Sequence, residues 1–319
     1  MVRAVARRLA VFAVSLLGAS VLVFIVCSAL PGDVAQVILG EHADPGAVEA
    51  LRDRLGLNRS LPERYFSWLG GMFMGDLGRS YLTNEPVASL IGPTIGVTLW
   101  LVCLALLLAL VLAVPLGMLA ALKRRYWQGF LATSVSQVGM AIPAFWAGIV
   151  LVVVFSVGLH WLPATGYVPL LADPVDWARH LTLPVLALAV IQAAVLARYV
   201  RSAIVEVLSE DYYRTARAVG WTQFRALLRH GLRNAALSVV TVLGLQLAGA
   251  LVGAIVIESV FALPGMGSLL LNAVGKRDLM IVQGTVMLLV LAVLVINALV
   301  DLSYLAIDPR LRAPKGSIE

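Results

Sequence analysis

The chain has 319 residues, 61% of them hydrophobic and 13% charged, with a mean hydropathy of +0.93. A soluble domain carries about 25% charged residues, so a fold bathed only in water is excluded. The formal net charge of +6 comes from 24 Lys and Arg spread through short segments between apolar runs, which is a topology signal and not a nucleic-acid-binding patch.

In hydrocarbon every backbone polar group must be bonded within the protein, which leaves only helix bundles and closed barrels. The apolar runs are about 20 residues long and do not alternate, which suits helices and not barrel strands. The expected fold is an all-α integral membrane protein of about six transmembrane helices, over residues 9–30, 96–122, 130–158, 181–203, 236–261 and 281–306.

Arg3, Arg7 and Arg8 precede the first run, but Leu9 to Leu30 is too long for a signal-peptide core and leads into Pro31-Gly32-Asp33 without a small-residue cleavage site. The first helix is expected to be retained. A long polar segment, 31–95, follows. Within it Pro45 to Leu55 reads as a short amphipathic helix, and Leu61 to Met74 carries Tyr65, Phe66, Trp68, Leu69, Met72 and Phe73, as expected of a cap on the bundle or on the membrane interface. The remaining division is a five-helix core over 96–306, containing a basic segment at 204–235, and a tail over 307–319.

Orientation follows from positive charge. The clusters Arg3/Arg7/Arg8 and Lys123/Arg124/Arg125, the arginines between Arg198 and Arg233, and Arg310, Arg312 and Lys315 all fall on one side. The short segments of the other side hold Arg179, Lys276 and Arg277. By the positive-inside rule both termini are cytoplasmic, and 31–95 is an extracytoplasmic loop.

Catalytic signatures are missing. His42, His160, His180 and His230 fall in or beside loops on both sides, and there is no HExxH, GxSxG or P-loop lysine motif. Gly75-Asp76 resembles half of an intramembrane aspartyl protease site but lies in the polar loop without a partner aspartate. Cys27 and Cys103 lie inside apolar runs and read as buried packing residues, not a disulfide or metal site.

Carboxylates within the spans cost about 2.5–3.5 kcal/mol at the bilayer centre. Glu258 near the outer end of the fifth span and Asp301 near the inner end of the sixth read as interfacial, solvated or ion-paired groups as readily as functional ones. Among other polar groups in the spans, Ser134, Ser136, Gln137, Gln192, Gln246 and Asn297 are candidates for interhelical bonding. Ser134, Gln137, Gln192, Gln246 and Glu258 are the candidate substrate path. Pro115, Pro143 and Pro184 are expected to bend or begin helices.

The segment Ser209 to Asn234 is polar enough to be wet yet patterned for helices. Ser209 is placed to cap a first helix opening on Glu210 and Asp211, and Gly220 suits the left-handed position that ends it. Thr222 is placed to cap a second helix on which Trp221, Phe224, Leu227 and Leu228 share one face and Arg225 and Arg229 another. An apolar knob flanked by arginines suits a groove on another protein.

Asp211-Tyr-Tyr-Arg-Thr-Ala-Arg-Ala-Val-Gly220 resembles the "EAA" loop of ABC importer permeases, in the variant of the dipeptide, oligopeptide and nickel permease family. The resemblance extends through Phe24 with Pro31-Gly32-Asp33, Leu55-Gly56-Leu57 and Gly75-Asp76-Leu77-Gly78-Arg79-Ser80. It continues through Ile142-Pro143-Ala144-Phe145-Trp146, Trp161-Leu162-Pro163, His180-Leu181-Thr182-Leu183-Pro184 and Arg229-His230. Glu258-Ser-Val-Phe261 before Pro264-Gly265-Met266-Gly267, and Asp308-Pro309-Arg310, complete it. Val219 stands where the family usually has lysine, and Ser238 where a proline is common.

The resemblance implies a non-catalytic subunit of the bacterial cytoplasmic membrane. Its partners would be a second, similar permease, two ATPase subunits and an extracytoplasmic peptide-binding protein, with ATP and Mg held by the ATPases and no cofactor on this chain. It implies that Ala216 and Gly220 let the two short helices pack closely, that Trp221 and Phe224 fill an ATPase groove, that Arg214 or Arg217 contacts its acidic rim, and that Arg225 belongs to the same coupling surface. Short peptides are the implied cargo, with nickel chelates, haem or glutathione as alternatives. The rival class is a stand-alone proton-coupled transporter or channel using Glu258 or Asp301.

Overall fold

The computed structural model describes residues 2–29, 33–40 and 42–307, and their side chains except at 2–5, 230, 232–234, 236–238, 241 and 301–307. The Asp301 side chain, the Pro31-Gly32 pair, Arg310, Arg312 and the tail from 308 therefore lie outside what is described. Every regular element among the described residues is helical, apart from an isolated bridge between Arg79 and Pro86.

In chain order the helices are α1 (Val2–Ala29), α2 (Val34–Leu39), α3 (Pro45–Arg54), α4 (Leu61–Phe73), α5 (Val87–Leu122), α6 (Trp127–Ala141) and α7 (Ala144–Leu151). After π-helical turns at Val152–Gly158 come α8 (Pro174–Ser209), α9 (Asp211–Ala218) and α10 (Gln223–Ala226). More π-helical turns at Leu227–Gly231 lead into α11 (Leu232–Val260), α12 (Met266–Gly275) and α13 (Leu279–Ile307). Five helices contain stretches long and apolar enough to cross a membrane: Ala6–Ala29, Val87–Leu122, Pro174–Ser209, Val242–Val260 and Leu279–Val300. The expected third span is different. It breaks between α6 and α7 with a bend of 101°. Ile142 is extended (φ −80°, ψ 123°) because the ring of Pro143 disfavours a helical residue before it, and Pro143 then opens α7. Pro115 and Pro184 stay inside continuous α5 and α8.

The chain divides into two compact units. The first, residues 1–98 and 264–295, joins α1, the 31–95 segment and α12 with the adjoining ends of α5 and α13. The aromatics of α4 pack on α1: Phe24 meets Tyr65 edge-on at 5.4 Å and Trp68 at 5.8 Å, and Ser20 Oγ and Tyr65 Oη share a 2.9 Å hydrogen bond. Such ring pairs contribute about 0.5–1.5 kcal/mol each beyond their buried area. Phe66 and Phe73 stay exposed.

Local bonds hold the polar segment in shape. Asp33 caps α2 and takes a salt bridge from Arg52 at 2.8 Å, Ser60 and Glu63 form a capping box on α4, and Asp76 accepts from the Gly78 amide at 2.9 Å. Asp76 is thus a turn residue. The buried Asp278 carboxylate receives the Ser80 hydroxyl and the Tyr81 amide, and Thr98 Oγ1 accepts from the Met266 amide at 2.9 Å. Burial pushes the Tyr81 phenol above its usual range, with Asp278 adding to the shift and Arg64 opposing it, so Tyr81 stays neutral. The segment 262–280, between the last two expected spans, contains α12.

The second unit, residues 99–263 and 296–319, is organised on α8, which packs against α6, α7 and α11. Small residues make this possible: Ala109, Ala113, Ala193, Ala197 and Ala203 are nearly fully buried in its core. Cys27 is buried as expected, but Cys103 is exposed on α5. An apolar run does not show which of its faces meets lipid, and the thiol falls on the outer face.

Candidate coupling site

Two short helices, α9 and α10, interrupt the apolar chain between α8 and α11. Ser209 is not the cap of α9. Because α8 continues to Ser209, its hydroxyl donates back to the Glu206 carbonyl at 2.6 Å, and Glu210 takes the cap position without a side-chain bond. The far end of α9 is as the sequence implies. Gly220 has φ +98°, its amide donates to the Arg217 carbonyl at 3.1 Å, and the Trp221 amide donates to the Ala216 carbonyl at 3.2 Å. These two bonds form a Schellman motif, which satisfies carbonyls left open at the helix end. Thr222 Oγ1 then accepts from the Arg225 amide at 3.4 Å and caps α10.

Two side chains fasten the turn. The Arg217 guanidinium donates to the Trp221 carbonyl, and the Tyr213 hydroxyl donates to the Gln223 carbonyl at 3.4 Å. Burial raises the Tyr213 hydroxyl above its usual value and Arg217 opposes that shift, so it remains a donor at neutral pH. The stabilisation linked to this raised value is lost only as pH rises through it, above the usual tyrosine range near 10.

Of the two roles expected of Gly220, the left-handed helix end is the one that demands glycine: a Cβ there would meet nothing within 4 Å, so the close packing that the resemblance implied does not. Gly220→Ala is expected to cost about 1–2 kcal/mol of local stability, because L-residues are disfavoured at positive φ. Hydrogen exchange at the Trp221 amide should speed up by roughly 5–30-fold; an unchanged rate would contradict this account.

The loop shares a core with the bundle. Tyr213, Ala216, Ala226 and Leu227 are buried in one cluster with Leu196, Val200, Ile204 and Val207 of α8 and Ala113 and Ala121 of α5. Leu227 is therefore not on the outward face with its neighbours. It is fully buried, whereas Trp221, Phe224 and Leu228 are 38%, 54% and 44% exposed. Leu227 lies beside the equally buried Ala226, at the inner edge of the face, where α10 gives way to π-helical turns. Arg225 and Arg229 are exposed as expected. Arg214 lies 3.6 Å from Asp211 in a solvent-exposed pair of little energetic weight, and Arg217 is committed to the turn.

The proposed path residues do not form one site. Gln192 and Gln246 meet across α8 and α11, each amide donating to the other's backbone carbonyl, at 3.5 and 3.3 Å. That is interhelical bonding, with both amide groups engaged. Gln137 lines a cavity of about 130 Å³ with Thr133, Ser136, Arg198 and Arg201, from which Ser134 is absent. Glu258, read as interfacial, solvated or ion-paired as readily as functional, has no exposed surface in α11, and its backbone carbonyl accepts from the Leu263 amide at 2.9 Å.

Residues 113–313 match the profile of the binding-protein-dependent transport system inner membrane component, and residues 1–102 match the N-terminal membrane-component profile of the same systems. The chain belongs to this family. The permease is 41% identical over 293 residues to a Brucella abortus (strain 2308) protein provisionally named as a peptide transport system permease, covering 92% of this chain and 93% of that one. It has the same identity and coverage with the glutathione transport system permease protein GsiC of Escherichia coli (strain K12). Among solved structures, an amino acid ABC transporter crystallised with histidines matches with a TM-score of 0.50 at 19% identity, over 67% of this chain and 92% of that one, a likeness of fold. The permease is thus the multi-pass membrane subunit of an ABC importer.

Proposed function

We propose that this permease forms half of a translocation pathway for short peptides, including glutathione-like tripeptides, in the bacterial cytoplasmic membrane. The cargo reading is supported by the peptide and glutathione systems to which its relatives are assigned. A second permease completes the pathway, an extracytoplasmic binding protein delivers substrate, and two ATPase subunits bind and hydrolyse ATP. This chain does neither and carries no cofactor. Its termini and the α9–α10 segment face the cytoplasm, as the distribution of Lys and Arg requires.

The observation that carries the reading is the double character of that segment. Tyr213, Ala216, Ala226 and Leu227 are buried with α8 and α5, while Trp221, Phe224, Leu228, Arg225 and Arg229 point away from the chain. A body rooted in the bundle and aromatic at its tip transmits displacement of a docked ATPase to the spans. Proteoliposomes holding the whole complex provide the test. Peptide uptake should need both ATP and loaded binding protein; uptake by this chain alone, driven by a pH gradient, would replace this reading with a proton-coupled carrier.

A further inference from the structure

A cavity of about 300 Å³ lies wholly within the first unit, lined by Arg54, Arg59 and Arg64, by Trp68 and Gln283, and by Asp76. Three arginines and one carboxylate line it, and that carboxylate already accepts from the Gly78 amide. Three arginines against one carboxylate leave the lining with an excess of positive charge, the sign that attracts a phosphate.

A second depression, of about 450 Å³, adjoins the first at Phe24, which lines both. It is lined by Val21, Ile25, Leu61, Tyr65 and Phe66, with almost no polar surface. Val21 and Ile25 lie on the exposed apolar face of α1, the face a span presents to lipid. Phe24 is five residues from the end of α1, hence about 8 Å along the axis, a depth matching the boundary between headgroups and acyl chains.

We propose that the two depressions together bind one anionic phospholipid, its phosphate held by Arg54, Arg59 and Arg64, and an acyl chain lying in the Val21/Ile25/Tyr65/Phe66 groove. Charge complementarity selects the headgroup, and the apolar groove beside it selects a lipid over a soluble anion. Binding itself is independent of the cargo and partners proposed above; only its assignment to the outer leaflet rests on the orientation. The lipid ties the α3–α4 segment to α1 at the membrane surface.

The full chain, purified in detergent, is mixed with equal parts of phosphatidylglycerol and phosphatidylcholine, and retained lipid is identified by native mass spectrometry. Phosphatidylglycerol should be retained preferentially, and each of Arg54→Gln, Arg59→Gln and Arg64→Gln should weaken its retention about fivefold, following the value of a basic side chain near an anionic lipid. Replacing all three by lysine should keep most of the preference, while Arg179→Gln, outside the cavity, should leave it intact. Equal retention of the two lipids by the wild type would overturn the proposal whatever the variants do. So would undiminished retention in the glutamine variants. Displacement by glycerol 3-phosphate would reduce the site to an anion pocket, and displacement by polyglutamate would assign the arginines to a protein partner; either result rejects a lipid.

Discussion

Phe224→Asp should abolish ATP-driven uptake while leaving the chain folded and inserted. Phe224 is 54% exposed, so its replacement removes little from the permease's own core. At an ATPase groove the same change removes an aromatic anchor worth about 2 kcal/mol or more and buries a carboxylate without a partner. The ATPase subunits should bind at least about 30-fold more weakly, the ratio that 2 kcal/mol gives, as read by their co-purification with the permease. Leu227→Asp is the informative contrast. Leu227 is fully buried against α8, so that variant should fail at folding, with loss of the membrane-inserted protein itself. Wild-type uptake by Phe224→Asp would remove the docking role from α10.

The second large effect is expected at Gly117, inside the bundle. A Cβ there would lie 2.7 Å from the Ala197 carbonyl oxygen and 2.7 Å from Val200 Cβ, closer than van der Waals contact allows. Helices in membranes approach closely through small residues, and α5 crosses α8 on this glycine. Gly117→Val must push α5 away from α8 or distort Val200, at about 1–3 kcal/mol or more. The thermal midpoint of the purified permease should fall clearly, and uptake with it. Gly249, where a Cβ meets nothing within 4 Å, supplies the control: Gly249→Ala should leave the midpoint unchanged. Equal midpoints for Gly117→Val and the wild type would show that α5 and α8 are not held at this distance.

The apolar spans and the cytoplasmic helix pair were legible because hydrophobic run length and helix-end chemistry are local properties. Gly220 and Thr222 do what their residue types suggest, and α3 and α4 begin where Pro45 and Leu61 follow capping residues. What sequence reasoning missed depends on packing. Pro143 breaks its helix whereas Pro184 does not, and nothing in the two local sequences separates them. Ser209 does not cap α9 because α8 continues farther than its apolar run. Leu227 is buried with Ala226 against α8, a packing choice that the helical pattern alone leaves open. Glu258 has no exposed surface and Cys103 is exposed, not buried, because an apolar sequence leaves open which face meets lipid and which meets protein. Of the candidate path residues, Gln192 and Gln246 are brought together, and a bonding role between helices was among the readings their sequence allowed.

The central claim is that the tip of the α9–α10 segment docks on an ATPase. A photo-reactive phenylalanine analogue placed at Phe224 in the assembled complex tests it most directly. Illumination should join the permease to the ATPase subunit, with a yield that changes when ATP is bound and hydrolysed. Adducts confined to lipid or to this chain's own helices, in a complex that still transports, would contradict the claim.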